Sequence, residues 1–265
     1  MKAIFAACAL GMTVAPPSAF AQDAPQHDAA VAASQARAED YVATVRAELD
    51  RLDVVAADPA HPRHGDWAQF QRAADETDDP VVRELLQRTA REQYLRHVAT
   101  GALYEDPSIQ PEDTGPIGRE LSSDTFRQDM DNLDWLKPVV AQRGWFTIGG
   151  DGAAAARAAW YLAMHASIDR QWQEHALALM EPLAHAGEVD RNDYAMLFDR
   201  VALMAGRPTR YGTQGMGCSP DGQRYQFAPV EDPEQLDARR AEMHIPPFAE
   251  SATGADRRCQ EAARR

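Results

Sequence analysis

The sequence predicts a mainly α-helical fold, a helical array around a buried central helix, with a small C-terminal β-hairpin. Apolar residues recur at helical spacing through most of the 265-residue chain. Residues 151–166, DGAAAARAAWYLAMHA, are apolar on every side in their second half, which is typical of a helix buried inside a domain. From Arg210 the helical pattern stops, and two extended stretches flank Ser219-Pro220-Asp221-Gly222, a type I turn pattern.

Residues 1–21 have the pattern of a signal peptide. Lys2 precedes an apolar run from Ala3 to Ala15, and Ala19-Phe20-Ala21 matches an A-x-A cleavage site. A buried N-terminal helix is the alternative interpretation. We expect an exported protein, periplasmic or secreted. We expect no stable membrane insertion after cleavage, because no later run is long enough to cross a bilayer.

The charge of the chain excludes one class of partner. Its formal net charge is -14, and cleavage would remove Lys2 and make it more negative. Nucleic acids and anionic membranes attract basic surfaces, so we expect no nucleic-acid partner. A small polar ligand or a peptide is compatible with this charge, and the oligomeric state is left open.

Two cysteines, Cys218 and Cys259, follow the expected cleavage site. In an exported protein such a pair favours a disulfide over a metal site or a nucleophile. Two unpaired thiols are the alternative.

The residues between the signal peptide and position 79 are expected to form an N-terminal helical extension, 22–79. A flexible lead through Ala36 is expected to overlap a helix from Val31 to Val55, with a short helix from Asp66 to Ala74. His61 and His64 lie in a proline-containing loop between them, and the default expectation is that both are solvated.

A helical domain is expected over 80–248, followed by a polar tail, 249–265. Periodicity and capping residues predict the following order: a helix from Val81 to Thr100, a loop from Leu103 to Ile117, helices from Ser122 to Leu133 and from Trp135 to Arg143, the central helix, a helix from Ser167 to Ala186 that Pro182 kinks or ends, a helix capped by Asp190, the hairpin, and a helix from Asp232 to Met243.

The helix from Val81 changes character along one face. Val82, Leu85, Leu86 and Thr89 form a stripe that continues into Glu92, Gln93 and Arg96. Two interpretations explain this pattern. The last turn of the helix is exposed and Glu92 and Arg96 form a simple surface ion pair, or the stripe faces inward and lines a polar pocket.

Several short motifs occur in a recognisable order: Glu92-Gln93-x-x-Arg96, Asp129-x-x-Asn132, Gly144-Trp145-Phe146, Met164-His165-Ala166-Ser167, Asp199-Arg200, Tyr211-Gly212-Thr213-Gln214 and Arg239-Arg240. Together they resemble a bacterial family of unknown function with DQxxR, DxxN, GWP, QHAD, DR and YGTQ motifs, over about Pro80 to Phe248. Glu92, Phe146, Met164 and Ser167 depart from that pattern. The resemblance implies which positions carry the family motifs, but it implies no reaction. Because Glu92, Gln93 and Arg96 match one of these motifs, it favours the interpretation in which they face inward as a polar cluster.

The motif residues suggest three hypotheses for function. In a non-covalent hydrolase or lyase for a small polar substrate, His165 is the general base and Glu92 or Asp199 orients it. The expected substrate-binding residues are Gln93, Arg96, Asn132, Trp145, Arg200, Tyr211 and Gln214.

The alternatives are a non-catalytic binding module and a structural or interaction domain, so we leave open whether the protein is an enzyme. The chain has no G-x-S-x-G or H-E-x-x-H motif. No cofactor is expected. A metal held by His165 with Glu92, Asp129 or Asp199 is compatible with the sequence, but the spacing does not require it.

Overall fold

The computed structural model of the protein describes residues 24–264, so the expected signal peptide lies outside the described residues. The first half contains α1 (Ala24–Leu49), α2 (Leu52–Ala57), α3 (Ala68–Glu76), α4 (Pro80–His97), a π-helical turn (Val98–Ala102), α5 (Leu103–Glu105) and α6 (Pro111–Arg143). The second half contains α7 (Ile148–Asp151), α8 (Ala153–His165), α9 (Arg170–Ala186), α10 (Arg191–Met204), β1 (Gly215–Cys218), β2 (Tyr225–Phe227), a 3-10 turn (Pro233–Gln235), α11 (Leu236–Glu242) and α12 (Phe248–Ala263).

Helix α8 is the predicted central helix, and α3, α4, α6, α9 and α10 all contact it. Ala158, Ala159 and Ala163 are fully buried, and Trp160 is nearly so. Alanine favours the helix and has no side chain beyond Cβ, so neighbouring helices can approach closely. The prediction of a helical array around a buried central helix is confirmed.

Helix α4 begins where its capping residues predict. The Asp79 carboxylate accepts hydrogen bonds from the backbone N–H groups of Val81 and Val82, at 2.8 and 3.1 Å, and Pro80 occupies the first helical position. The apolar stripe of α4 is buried against the core. Its continuation therefore points towards α8.

Helix α6 is a single helix of 33 residues. The predicted loop from Leu103 to Ile117 and the predicted break between two shorter helices are both wrong. Of the two alternatives expected at Pro182, a kink or an end of the helix, the end is wrong, since α9 continues to Ala186. In each case a proline inside the helix was expected to interrupt it.

The prolines in α6 are tolerated because the carbonyl groups that they leave unpaired have other partners. Pro116 cannot donate to the carbonyl of Glu112, and Ser34 Oγ donates to that oxygen instead, at 3.4 Å. Pro138 frees the carbonyl of Asp134, which is an exposed residue, so this oxygen can accept a hydrogen bond from solvent.

The N-terminal helix packs on α6. It is already helical from Ala24, where a flexible lead was expected, and it ends at Leu49 instead of continuing to Val55. Val42 and Val45 are buried in the same core as α8. Arg37 Nε donates to Asp113 of α6 at 2.7 Å.

The C-terminal segment forms the predicted hairpin and one further helix. Strands β1 and β2 are antiparallel, and Gly222 N–H donates to the Ser219 carbonyl at 2.8 Å, which closes the predicted turn. A disulfide joins Cys218 to Cys259, as expected. The stretch expected to be a polar tail is helical as α12 instead, because Ala255 and Cys259 give it a buried face.

None of the helices within residues 24–264 is long and apolar enough to span a membrane.

Candidate functional site

Four ionisable side chains from three helices meet beside α8. Glu92 and Arg96 come from α4, Asp129 from α6 and His165 from the last turn of α8. We call these four residues the inner polar cluster. Because its members are distant in sequence, the cluster exists only when α4, α6 and α8 are packed together.

Glu92 forms the base of the inner polar cluster. Its side chain is completely buried, so the interpretation in which the α4 stripe stays inward is confirmed for this residue. Glu92 Oε1 lies 2.7 Å from His165 Nδ1, and Gln93 Nε2 donates to Glu92 Oε2 at 2.5 Å. The His165 side chain is 20% exposed although Nδ1 is buried, so its accessible edge faces away from Glu92.

Arg96 links the two carboxylates of the cluster. Its Nε donates to Glu92, and its Nη2 donates to Asp129 Oδ2 at 2.6 Å. The Arg96 side chain is 31% exposed and that of Asp129 is 16% exposed. The cluster is therefore closed at Glu92 and partly accessible at Arg96, Asp129 and His165.

The two carboxyl groups have different protonation tendencies. Burial opposes ionisation of Glu92, but the contact with His165 and the charges of His165 and Arg96 outweigh it and lower the Glu92 pKa. For Asp129 burial prevails, only partly offset by Arg96, and the nearby charge of Glu92 adds to it, so the Asp129 pKa is raised. Pairs of carboxyl groups with opposite pKa shifts are common where one acts as an acid and the other stays ionised.

Three buried polar atoms in and beside the cluster have no hydrogen-bond partner: His165 Nδ1, Asp129 Oδ1 and Asn132 Nδ2. The first is close to Glu92, but a ring N–H would not point at the carboxylate oxygen, so the two atoms are in contact without an aligned hydrogen bond. Asn132 Oδ1 accepts from Gln128 Nε2 at 2.9 Å. Most buried polar atoms in proteins have a hydrogen-bond partner, so a group of three without one is a distinctive feature of this region.

A small cavity of about 210 Å³ adjoins the cluster. Arg96 and Asp129 form one wall, and Thr100, Ser122 and Phe126 line the rest. Thr100 lies in the π-helical turn that follows α4. Such turns are frequent at functional sites, because the extra residue per turn redirects side chains.

Glu92, Asp129 and His165 are also a possible set of metal ligands. Each offers one donor atom, and these atoms lie within 4.8 Å of one another. Imidazole nitrogen and carboxylate oxygen are the donors that zinc and other divalent transition metals use in proteins.

Asp199 lies outside this cluster and has a different environment. Its side chain is fully buried. We expected Asp199 to face solvent unless the C-terminal segment covers that side of the helix, and the C-terminal segment does cover it. Its Oδ1 accepts from the N–H groups of Arg210 and Tyr211, at 2.7 and 3.0 Å. Its Oδ2 accepts from the N–H and Oγ1 of Thr213, both at 2.8 Å. The carboxylate thus holds the YGTQ segment on α10.

Arg240 holds the same segment from its other side. This buried guanidinium donates to the carbonyl groups of Tyr211 and Pro246, at 2.5 and 2.6 Å, and to Ser251 Oγ at 2.5 Å. The peptide of Tyr211 therefore lies between a buried anion and a buried cation, with its N–H bound to Asp199 and its carbonyl bound to Arg240. Asp199, Tyr211, Thr213 and Arg240 are thus parts of one docking network.

The other expected substrate-binding residues are dispersed. Trp145 is buried in the hydrophobic core. Arg200 Nη2 donates weakly to Ser167 Oγ at 3.4 Å, and its buried Nε has no partner. Gln214 is partly buried, and its backbone carbonyl accepts from Ala228 N–H at 2.9 Å.

The sequence analysis missed a second buried polar network. Arg63 Nε donates to Glu48 at 2.8 Å, and the Tyr94 hydroxyl donates to the same carboxylate. His61 Nε2 lies 3.6 Å from Glu48, so this histidine is partly enclosed and not simply solvated. Glu48 follows the buried Val45 by three positions on α1, and that spacing was the available signal.

The chain was compared with protein-family models, curated proteins and solved structures. No curated protein and no solved structure matches it. A family model, DUF6624, a family of unknown function, matches residues 80–256, which is more than half of the chain and includes the inner polar cluster and the docking network. The protein therefore belongs to the DUF6624 family.

Proposed function

We propose that the inner polar cluster is the active site of a hydrolase or lyase that works without a covalent intermediate on a small polar substrate. The observation that carries the proposal is the pairing of His165 with a completely buried carboxylate, Glu92, while the other edge of the imidazole is accessible. A buried carboxylate that orients an accessible imidazole is the usual construction of a general base.

The surroundings of the cluster support a non-covalent reaction. Three hydroxyl groups line the cavity, and each already donates to a helix carbonyl: Thr100 to Arg96 at 2.7 Å, Ser122 to Gly118 at 2.7 Å and Thr125 to Leu121 at 2.8 Å. None of the three is therefore activated by His165. A water molecule or an acidic C–H of the substrate is the remaining source of the proton that His165 would accept.

The test is a screen for turnover with chromogenic esters, phosphate esters, glycosides and peptides, followed by His165→Asn. General base catalysis contributes about 10²–10⁴-fold, so we expect turnover to fall by at least about 100-fold while the circular dichroism spectrum is unchanged. His185→Asn, at an exposed histidine of α9, is the matched control and should keep full activity. Equal turnover by wild type and His165→Asn, or no turnover of any class, would overturn the proposal.

Ligand binding without turnover is the second candidate. It is favoured by Arg96, whose guanidinium is partly accessible beside the cavity. A binding module predicts a ligand-dependent rise in Tm that Arg96→Gln abolishes and His165→Asn preserves, whereas the enzyme predicts loss of turnover in His165→Asn.

We also propose that the protein works outside the cytoplasm. The disulfide between Cys218 and Cys259 supports this location, since such bonds persist in oxidising compartments. Fusion of residues 1–30 to a reporter that is active only after export is the test, with cytoplasmic retention as the contrary result.

A further inference from the structure

We propose that Glu92, Asp129 and His165 bind one divalent transition-metal ion, with Zn²⁺ as the best fit. The inference deepens the proposed function, on which it rests for its site, by naming what activates the water or substrate there. The three donor atoms come from α4, α6 and α8 and lie within 4.8 Å of one another. Ligand atoms bound about 2.1 Å from an ion are about 3–4 Å apart. Binding would therefore separate His165 Nδ1 slightly from Glu92 Oε1, which lies 2.7 Å from it, and bring the more distant donor atoms closer together.

Two residues of this ligand set each have a potential donor atom without a hydrogen-bond partner. Asp129 Oδ1 and His165 Nδ1 are buried and lack hydrogen-bond partners. Asp129 uses only its other oxygen, Oδ2, to pair with Arg96. An ion between the helices would satisfy both unpartnered atoms at once.

The charges of the cluster suit a divalent cation. Two ionised carboxylates balance the ion, and Arg96, which contacts both of them, then leaves the site with one net positive charge. In many metal sites, residues that do not bind the ion but form hydrogen bonds with its ligands fix the orientation of those ligands, as Arg96 would here. The positive charge also specifies the substrate class: a small anion that binds the ion and Arg96 together.

Three protein ligands leave a coordination position open for water or substrate, as in catalytic zinc sites. With the ion bound, His165 would be one of its ligands, and the ion would take over from His165 the activation of the water or substrate. Dependence on metal therefore separates this inference from the simpler mechanism in which His165 acts alone.

The experiment is isothermal titration of Zn²⁺ into the chelator-treated, full-length mature protein, repeated with Co²⁺ to record the ligand-field absorption spectrum. We expect one ion per chain and a tetrahedral Co²⁺ spectrum. Asp129→Asn should weaken binding by at least about tenfold and change that spectrum, because it replaces an ionised ligand. Asp131→Asn is the matched control, since Asp131 is an exposed aspartate on the same helix and pairs with Arg88.

Asp129→Asn is preferred to a Glu92 variant, because Glu92 is fully buried and its loss endangers folding. Circular dichroism verifies that the variant is folded. No binding by the wild type, or equal binding by wild type and Asp129→Asn, overturns the metal site. Turnover that survives chelation but is lost in His165→Asn overturns the metal site and leaves the proposed function intact. Tight binding of Zn²⁺ without turnover of any substrate overturns only the proposed function.

Discussion

Replacing Asp199 with asparagine should destabilise the protein without touching the chemistry of the inner polar cluster. The substitution keeps the size of the side chain but turns one acceptor oxygen into a donor NH₂. If the amide nitrogen takes the place of Oδ2, the N–H of Thr213 loses its acceptor, and the Thr213 hydroxyl must turn to accept a hydrogen bond where it now donates one. The bonds that Oδ1 accepts from Arg210 and Tyr211 become weaker, because the acceptor is no longer charged.

The expected cost follows from these contacts. A hydrogen bond to a charged group contributes about 1.5–3 kcal/mol, and the N–H of Thr213 is left without an acceptor, so Asp199→Asn should lower the free energy of unfolding by about 3–5 kcal/mol. At about 2–4 °C per kcal/mol for a chain of this length, Tm should fall by roughly 10 °C.

Urea unfolding followed by tryptophan fluorescence measures this change. Asp134→Asn, at an exposed aspartate of α6, is the control and should stay within about 0.5 kcal/mol of the wild type. The reasoning is refuted if Asp199→Asn unfolds within about 1 kcal/mol of the wild type. Loss of turnover in a variant with unchanged stability would instead give Asp199 the catalytic role that the sequence suggested.

Three further predictions concern stability. Burial raises the pKa of Asp193 to about 7 from an ordinary 3.8, so the folded protein holds a proton between these values that the unfolded chain releases. Its contribution to the free energy of unfolding therefore falls as pH rises from about 4 to about 7, and Asp193→Asn should flatten that part of a urea-midpoint profile. Replacing Cys218 and Cys259 together with serine should lower the free energy of unfolding by up to about 4 kcal/mol, given a sequence separation of 41, and a reducing agent should then have no further effect. Ala159→Leu should cost about 1–3 kcal/mol by overpacking the centre of α8, whereas Ala153→Leu at its exposed start should be close to neutral in thermal unfolding.

The parts of the molecule that follow from local pattern were predictable. The α4 stripe places Glu92 on the inward face, and a count of helical positions is sufficient to find it. The second half of α8 has no polar face before His165, so its central position could be predicted from the expected burial of an apolar helix. The cysteine pair required only the expectation of an oxidising compartment.

The parts that depend on distant partners were not predictable. Pro116 breaks no helix because Ser34, far away in sequence, donates to the carbonyl that it frees. Glu92 or Asp199 was expected to orient His165, but the oxygens of Asp199 accept hydrogen bonds from Arg210, Tyr211 and Thr213. A motif shows that a side chain has a role, and only the contacts distinguish a docking role from a chemical one.

Because α1 packs on α6, the segment that the family model matches and the segment that shares one hydrophobic core have different boundaries. The family match begins at residue 80, yet Val42 and Val45 of α1 belong to the same core as the matched helices. It stops at residue 256, three positions before Cys259, whose partner Cys218 lies inside the match. A recombinant fragment cut at the family borders would uncover the apolar flank of α6 and leave a free thiol on the hairpin. Expression trials across the family should therefore place their boundaries by buried surface and not by sequence similarity.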